Sequence, residues 1–235
     1  MGRCIYLRKG EVHTAPVVGI KASDLPIGQI VKLMEGGVET EFIVVNQGIP
    51  ENSSLYDASC NGTWLLRKNL KSGSGWATSN NNSYAVSAVN ALLNGNYFNG
   101  FGTVEQTVIK QVKIPYVNGT GSGGSVASGV SGLPAKVFLL SGYELGWTTG
   151  DSNRFPEDGA KLDYFESSSA GNSKRAAGDN WWTRSPYTGN ATQVWYVTVA
   201  GVNEYNSASL AYDVRPTLII PSTSIFDPTT YLLKK

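Results

Sequence analysis

One histidine and two cysteines are the whole imidazole and thiol stock of this chain. His13 stands alone, so a Ser-His-Asp or Cys-His relay is hard to assemble and a histidine-rich metal site is not expected. Cys4 and Cys60 lie far apart, in no metal or redox spacing, and read as two unpaired thiols. Carboxylates are the remaining chemistry. Asp151-Ser152-Asn153 matches the start of a calcium loop, and Glu157, Asp158 and Asp163 follow it. The rest of that motif is missing, and ordinary solvated acids are the plainer reading. Calcium is the one candidate cofactor; otherwise neither a cofactor nor a metal site is expected. Two loop-borne acids, such as Glu157 and Asp163, could hydrolyse a glycan, which keeps a glycan-acting enzyme as an alternative. The Gly/Ser run Asn118 to Gly132 lacks the Gly-Lys-Ser/Thr and the βαβ setting of a phosphate loop, so a flexible surface loop is expected.

The stretch best suited to a chemical task is Asn180 to Pro221, and the task is recognition. It opens on Trp181-Trp182 and Arg184-Ser185-Pro186 and closes on Val214-Arg215-Pro216. Between these ends lie Tyr, Asn, Ser, Thr and Gly with almost no charge. Tyr supplies contact area at low entropic cost, and Ser, Gly and Asn supply adaptable hydrogen bonds.

Composition agrees with a neutral, loop-rich protein. Charged residues are 16% of the 235, against about 25% in an average soluble domain. The 41% hydrophobic content, with 6 Trp and 12 Tyr, is enough for a large core. A net charge of +1 and no basic patch argue against nucleic-acid binding. No apolar run approaches the roughly 18 residues of a membrane helix, so no membrane insertion is expected. The N-terminus has charges on both sides of a short apolar patch and no h-region, so no Sec signal peptide is expected.

Several elements must position that stretch. Met1 to Lys21 reads as a lead-in or assembly segment, with residues 22–235 as the binding domain. Gln29 to Met34 and Thr40 to Val45 form a hairpin around Gly36-Gly37. Thr63 to Arg67 is a short strand. Ser83 to Phe98 carries the best helical spacing, with Ser83 as its cap and Asn94-Gly95 as its end or a frayed last turn. A second helix covers Thr103 to Ile109 with Thr103 as cap, and Lys110 to Pro115 leads into a strand. Ala135 to Leu140 is a buried strand followed by a turn capped by Ser141, and Gly159 to Phe165 is a short helix or turn. Trp181 to Arg184, Gln193 to Val199 and Val214 to Ile220 are strands, with Tyr205 to Tyr212 as a polar connection.

These motifs together carry a resemblance: Leu55 to Arg67, Ile109 to Tyr116, Phe138 to Glu144, Trp181 to Pro186 and Val214 to Leu218. The chain resembles a family of phages and prophages of gut Firmicutes with a C-type-lectin fold. That fold is shared with formylglycine-generating enzymes and with the variable proteins of diversity-generating retroelements. The resemblance spans nearly everything after about Ala22. It implies an α+β, C-type-lectin-like fold of small twisted antiparallel sheets, two helices and long irregular loops. Trp181, Trp182, Arg184, Arg215 and Pro216 would be its frame. It implies no enzyme: formylglycine-generating enzymes use a closely placed cysteine pair, and Cys4 lies outside the matched region.

The implied function is ligand binding by a host-recognition protein on a phage or prophage tail tip, located on a virion or outside the cell. Its partner would be a protein or glycan on a bacterial surface, and a homo-oligomer would raise avidity. A structural virion decoration domain is the other alternative. The expected ligand-binding residues are Tyr187, Asn190, Thr192, Trp195, Tyr196, Thr198, Ala200, Val202, Asn203, Glu204, Tyr205, Asn206, Leu210 and Tyr212. Adenine-targeted mutagenesis of Asn codons can produce most of these. It cannot produce Gln, Glu, Lys, Met or Trp, so Gln193, Trp195 and Glu204 would have to be fixed in the template.

Overall fold

The computed structural model describes residues 19–51, 53–73, 75–77, 79–147 and 155–234. In chain order the strands and α-helices are β1 (Ile20–Lys21), β2 (Ile30–Glu35), β3 (Val38–Gln47), β4 (Thr63–Arg67), α1 (Ala88–Leu92) and α2 (Thr103–Val108). Then come β5 (Val112–Ile114), β6 (Tyr116–Asn118), β7 (Ser125–Ala127), β8 (Leu133–Ala135), β9 (Val137–Phe138) and α3 (Asn172–Arg175). The chain ends with β10 (Trp181–Pro186), β11 (Gln193–Val197), β12 (Asn203–Ser207), β13 (Thr217–Ile220), β14 (Ile225–Phe226) and β15 (Leu233–Lys234). The fold is α+β, built of small antiparallel sheets with few helices. The largest sheet runs β2-β3-β4-β13-β9, and β10-β11-β12 form a separate sheet.

The hairpin β2–β3 has the expected form, pairing Ile30 with Ile43 and Glu35 with Val38. Gly36 and Gly37 take φ of 61° and 81°, which side chains disfavour. β4 has the expected bounds, and Thr63 to Leu66 are all buried, in a core in which Trp64, Trp76, Trp181, Trp182 and Trp195 are fully buried.

The expected helix from Ser83 is broken into pieces. A 3-10 turn (Tyr84–Val86) precedes α1, and a π-helical turn (Leu93–Tyr97) follows it. Ser83 makes no side-chain cap. Ser87 caps instead: its hydroxyl accepts from the Asn90 N–H at 3.0 Å and donates to the Tyr84 carbonyl at 2.9 Å. The apolar spacing overran because Val86 is 76% exposed. At the far end Asn94 serves the sheet. Its Oδ1 accepts from the N–H groups of Lys136 and Val137, and its Nδ2 donates to the Val137 carbonyl. A side chain committed to β9, with Gly95 at φ −108°, ψ −107°, forces the wider turn.

Three other expectations are corrected. α2 starts from Gly102 with no side-chain cap, not from Thr103; its buried Glu105 instead accepts from the Met34 N–H at 2.9 Å and ties the helix to β2. α3 lies in a segment given no helix from sequence. The Gly/Ser run supplies the turn and the second strand of the β6–β7 hairpin rather than a structureless loop. There the Gly121 N–H donates to Asn82 Oδ1 at 2.9 Å, and a Cβ at Gly121 would fall 2.3 Å from the Tyr187 carbonyl oxygen. The glycine content therefore answers a close backbone approach as well as turn geometry.

The lead-in segment mostly falls outside the described residues, His13 and Cys4 with it. Its last residues, in β1, pair Ile20 with Phe226 and Lys21 with Ile225, and the Ala22 N–H donates to the Ser224 carbonyl. The chain thus runs through the expected boundary at Ala22 without a break in pairing. No described helix is long and apolar enough to cross a membrane.

Candidate functional site

β10 is the back wall of the site, and all of its residues are buried. Arg184, 1% exposed, projects from it into a polar cluster. Its Nη1 and Nη2 donate to the two oxygens of Glu144 at 2.5 and 2.7 Å. Its remaining donors reach the carbonyls of Pro115, Leu139 and Asp158. Burial lowers the Arg184 pKa, but Glu144 outweighs it and the net shift is upward. The Tyr56 hydroxyl donates to Glu144 Oε1 at 2.9 Å and accepts from the Ala160 N–H. Burial and the Glu144 charge hold that phenol well above its ordinary range. Beside it the Ser185 hydroxyl accepts from the Gly142 N–H and donates to Asp158. Burial pushes the Asp158 carboxyl up to about 7, against the pull of Arg184 and Ser185.

The neighbouring strands follow from alternation. β11 pairs Trp182 with Tyr196, and β12 pairs Trp195 with Tyr205 and Tyr196 with Glu204. Successive side chains point to opposite faces, so the sheet has two aromatic faces. On one, Tyr205 lies 4.3 Å from Tyr187, both touch Trp195, and Trp195 stacks on Phe155 at 4.0 Å. On the other, Tyr196 and Tyr212 lie 4.7 Å apart over Trp182, and Asn206 Nδ2 donates to the Tyr212 hydroxyl at 3.0 Å. Burial and the neighbouring Tyr212 push the Tyr196 phenol up to about 12. The Trp182 Nε1–H beneath them is buried without a partner among the described residues.

The expected binding residues are therefore divided. Trp195 has no exposure and stacks in the core, which makes it a frame residue rather than an anchor. Tyr196, Glu204, Asn206 and Tyr212 share the second face, where Glu204 is exposed and the others are half-buried. Tyr187 and Tyr205 sit on the first face, half-buried on Trp195. Asn190 and Thr192 belong to the β10–β11 loop, where Asn190 Oδ1 accepts from the Thr192 N–H and hydroxyl. Thr198, Ala200 and Val202 form the β11–β12 turn, and Asn203 opens β12. Leu210, 40% exposed, lies after β12. The expected polar connection from Tyr205 thus begins as a paired strand, because its backbone groups are satisfied by β11.

Asn82 was not anticipated. It is fully buried, and its Nδ2 lies within donating distance of the carbonyls of Tyr187, Asn190 and Gln193 at 3.3, 2.7 and 2.6 Å. Together with its bond from Gly121 it holds the β10–β11 loop in place. In sequence it is one of three consecutive asparagines, and nothing separates it from a surface run.

Among the described residues no group of three or more His, Cys, Asp or Glu side chains could hold a metal ion. Asp151, Ser152 and Asn153 fall outside those residues. Glu157 and Asp163 are exposed, whereas Asp158 is buried against Ser185. Cys60 is buried, its Sγ donates to the Lys113 carbonyl at 3.2 Å, and burial pushes the thiol up to about 12. That is the setting of an inert thiol.

Residues 61–222, from just before β4 to just after β13, match the profile of the family described as a domain of unknown function, DUF6273. The chain belongs to that family. No curated protein and no solved structure matches the chain.

Proposed function

We propose that this chain is a ligand-binding protein of the receptor- or host-recognition class, placed on a phage or prophage tail tip. In this reading the α+β fold is C-type-lectin-like and the β10–β12 region is the segment varied by a retroelement. The observation that carries the reading is the second sheet face. Tyr196, Asn206 and Tyr212 form a half-buried, neutral, hydrogen-bond-capable patch edged by Glu204. It rests on a wall whose charges are paired internally. Anchoring aromatics with adaptable polar neighbours on a rigid support are what a binding surface needs. The partner is a protein or glycan on a bacterial surface.

Tyr196→Ala with Tyr212→Ala tests this directly. The double variant is expected to keep the wild-type circular dichroism spectrum and lose adsorption to host bacterial cells, measured as cell-bound labelled protein. Tyr187→Ala with Tyr205→Ala is expected to weaken adsorption less. A folded Tyr196/Tyr212 variant that adsorbs like wild type overturns the proposal.

A further inference from the structure

On the second face of the β10–β12 sheet, Trp182 of β10, Tyr196 of β11 and Glu204 of β12 stand directly opposite one another. Directly opposed residues share a face, so the three side chains form one row across the sheet. Tyr212 packs over this row, its ring centroid 4.6 Å from that of Trp182 and 4.7 Å from that of Tyr196. The three ring planes are inclined to one another by 40° to 78°, so they meet as a corner and not as a flat stack. Trp182 is the buried floor, Tyr196 and Tyr212 are half-buried, and Glu204 is exposed at the end of the row. The Glu204 charge joins burial and Tyr212 in raising the Tyr196 phenol. Elsewhere the protein covers rings with its own cations, as Arg215 covers Trp181 and Arg175 covers Trp147. Among the described residues no Lys or Arg lies over Trp182, Tyr196 or Tyr212, and Glu204 has no ion pair. The face is an aromatic corner with a negative edge and, among those residues, no cation of its own.

We propose that this face binds an alkylammonium group carried by the bacterial surface ligand. The inference rests on the recognition reading above and adds the chemistry of what is recognised. A cation within about 6 Å of an aromatic ring centre is drawn to the negative face of the ring, more strongly where water is partly excluded. Tyr196 and Tyr212 offer two half-buried rings 4.7 Å apart, so one ammonium group can touch both. Asn206 Nδ2 holds the Tyr212 hydroxyl and with it the orientation of that ring. Glu204 supplies the opposite charge from the open side. A carboxylate or phosphate ligand would be repelled by Glu204 and by the ring faces alike.

Saturation-transfer NMR and calorimetry on the full chain test it with choline and ethanolamine, a quaternary and a primary ammonium. The control is the neutral analogue of choline with carbon in place of nitrogen. At least one ammonium is expected to bind, and the neutral analogue to bind at least about fivefold more weakly than the tighter of the two. Tighter binding of choline assigns the source as a quaternary head group, and tighter binding of ethanolamine assigns a primary amine. Glu204→Gln, at an exposed position, is expected to melt like wild type and bind the ammonium about threefold more weakly. No ammonium binding up to roughly 10 mM, equal binding of the neutral analogue, or equal binding by Glu204→Gln overturns the proposal. If that happens while the Tyr196→Ala, Tyr212→Ala protein still loses adsorption, the recognition surface stands and only its ligand chemistry is wrong. Normal adsorption by that double variant overturns the recognition reading itself, whatever the ammonium result.

Discussion

Arg184 and Arg215 close the two ends of the 181–221 segment, and they are satisfied in opposite ways. Arg184 meets a carboxylate: Glu144 takes it in a two-point ion pair with neither side chain exposed. Among the described residues Arg215 meets only carbonyls, those of Arg67, Lys174 and Arg175, and stacks over the Trp181 ring at 5.5 Å. Without a buried counter-charge, burial pulls Arg215 down to about 10. The lesson is that one arginine is a locked joint and the other is a spacer. Removing a partner at the first strands a charge in a dry interior, while removing the second relieves one.

The sharpest way to break the comparison is Glu144→Gln. It leaves Arg184 buried without its counter-charge and puts an amide donor where Glu144 Oε2 accepts from Arg184 Nη1 and the Ser141 N–H, so a loss of about 3–5 kcal/mol is expected. Urea unfolding measures it, and a loss below about 1 kcal/mol would mean the joint is not locked. Next in size is Asp158, the second carboxyl at the same end. Its folded pKa of about 7 is raised above the unfolded value near 3.8. The folded state therefore holds its proton longer, and this contribution to stability is full below about pH 4 and lost as pH rises through about 7. The unfolding free energy should fall across that window by on the order of a few kcal/mol, seen as a falling melting temperature, and Asp158→Asn should flatten the fall. A wild-type profile no steeper than that of the variant would contradict this assignment. The smallest effect is expected at the other end. Arg215→Met trades three carbonyl contacts for the relief of a desolvated charge, so a net loss of about 1 kcal/mol or less is expected in the same unfolding experiment. A loss equal to that of Glu144→Gln would erase the difference between the two ends.

The β2–β3 hairpin, β4 and the strands at Trp181 and Gln193 were legible because short runs of β-forming residues and Gly-Gly turn chemistry are local signals. The helix from Ser83 was legible only in outline. Its apolar spacing was read without knowing that Asn94 would be drawn to the edge of β9. In the candidate site the frame residues were readable, since Trp-Trp, Arg-Ser-Pro and Arg-Pro are poor surface choices. The two faces were not. Tyr187, Tyr196, Tyr205 and Tyr212 look equivalent in a polar run until β12 pairs with β11 and sets their parity.

By itself, then, the sequence determined where the segment begins and ends, which residues were apolar enough to be walls, and that the chain is rich in neutral hydrogen-bonding groups. These are properties of residue type and near-neighbour spacing. Tertiary structure decided which tyrosines share a face, that Trp195 is core, and that Arg184 is held by a carboxylate 40 positions earlier in the chain. It also decided that Asn82 holds a loop more than 100 positions away. Those outcomes depend on register and on buried partners distant in sequence, and no local pattern encodes either one.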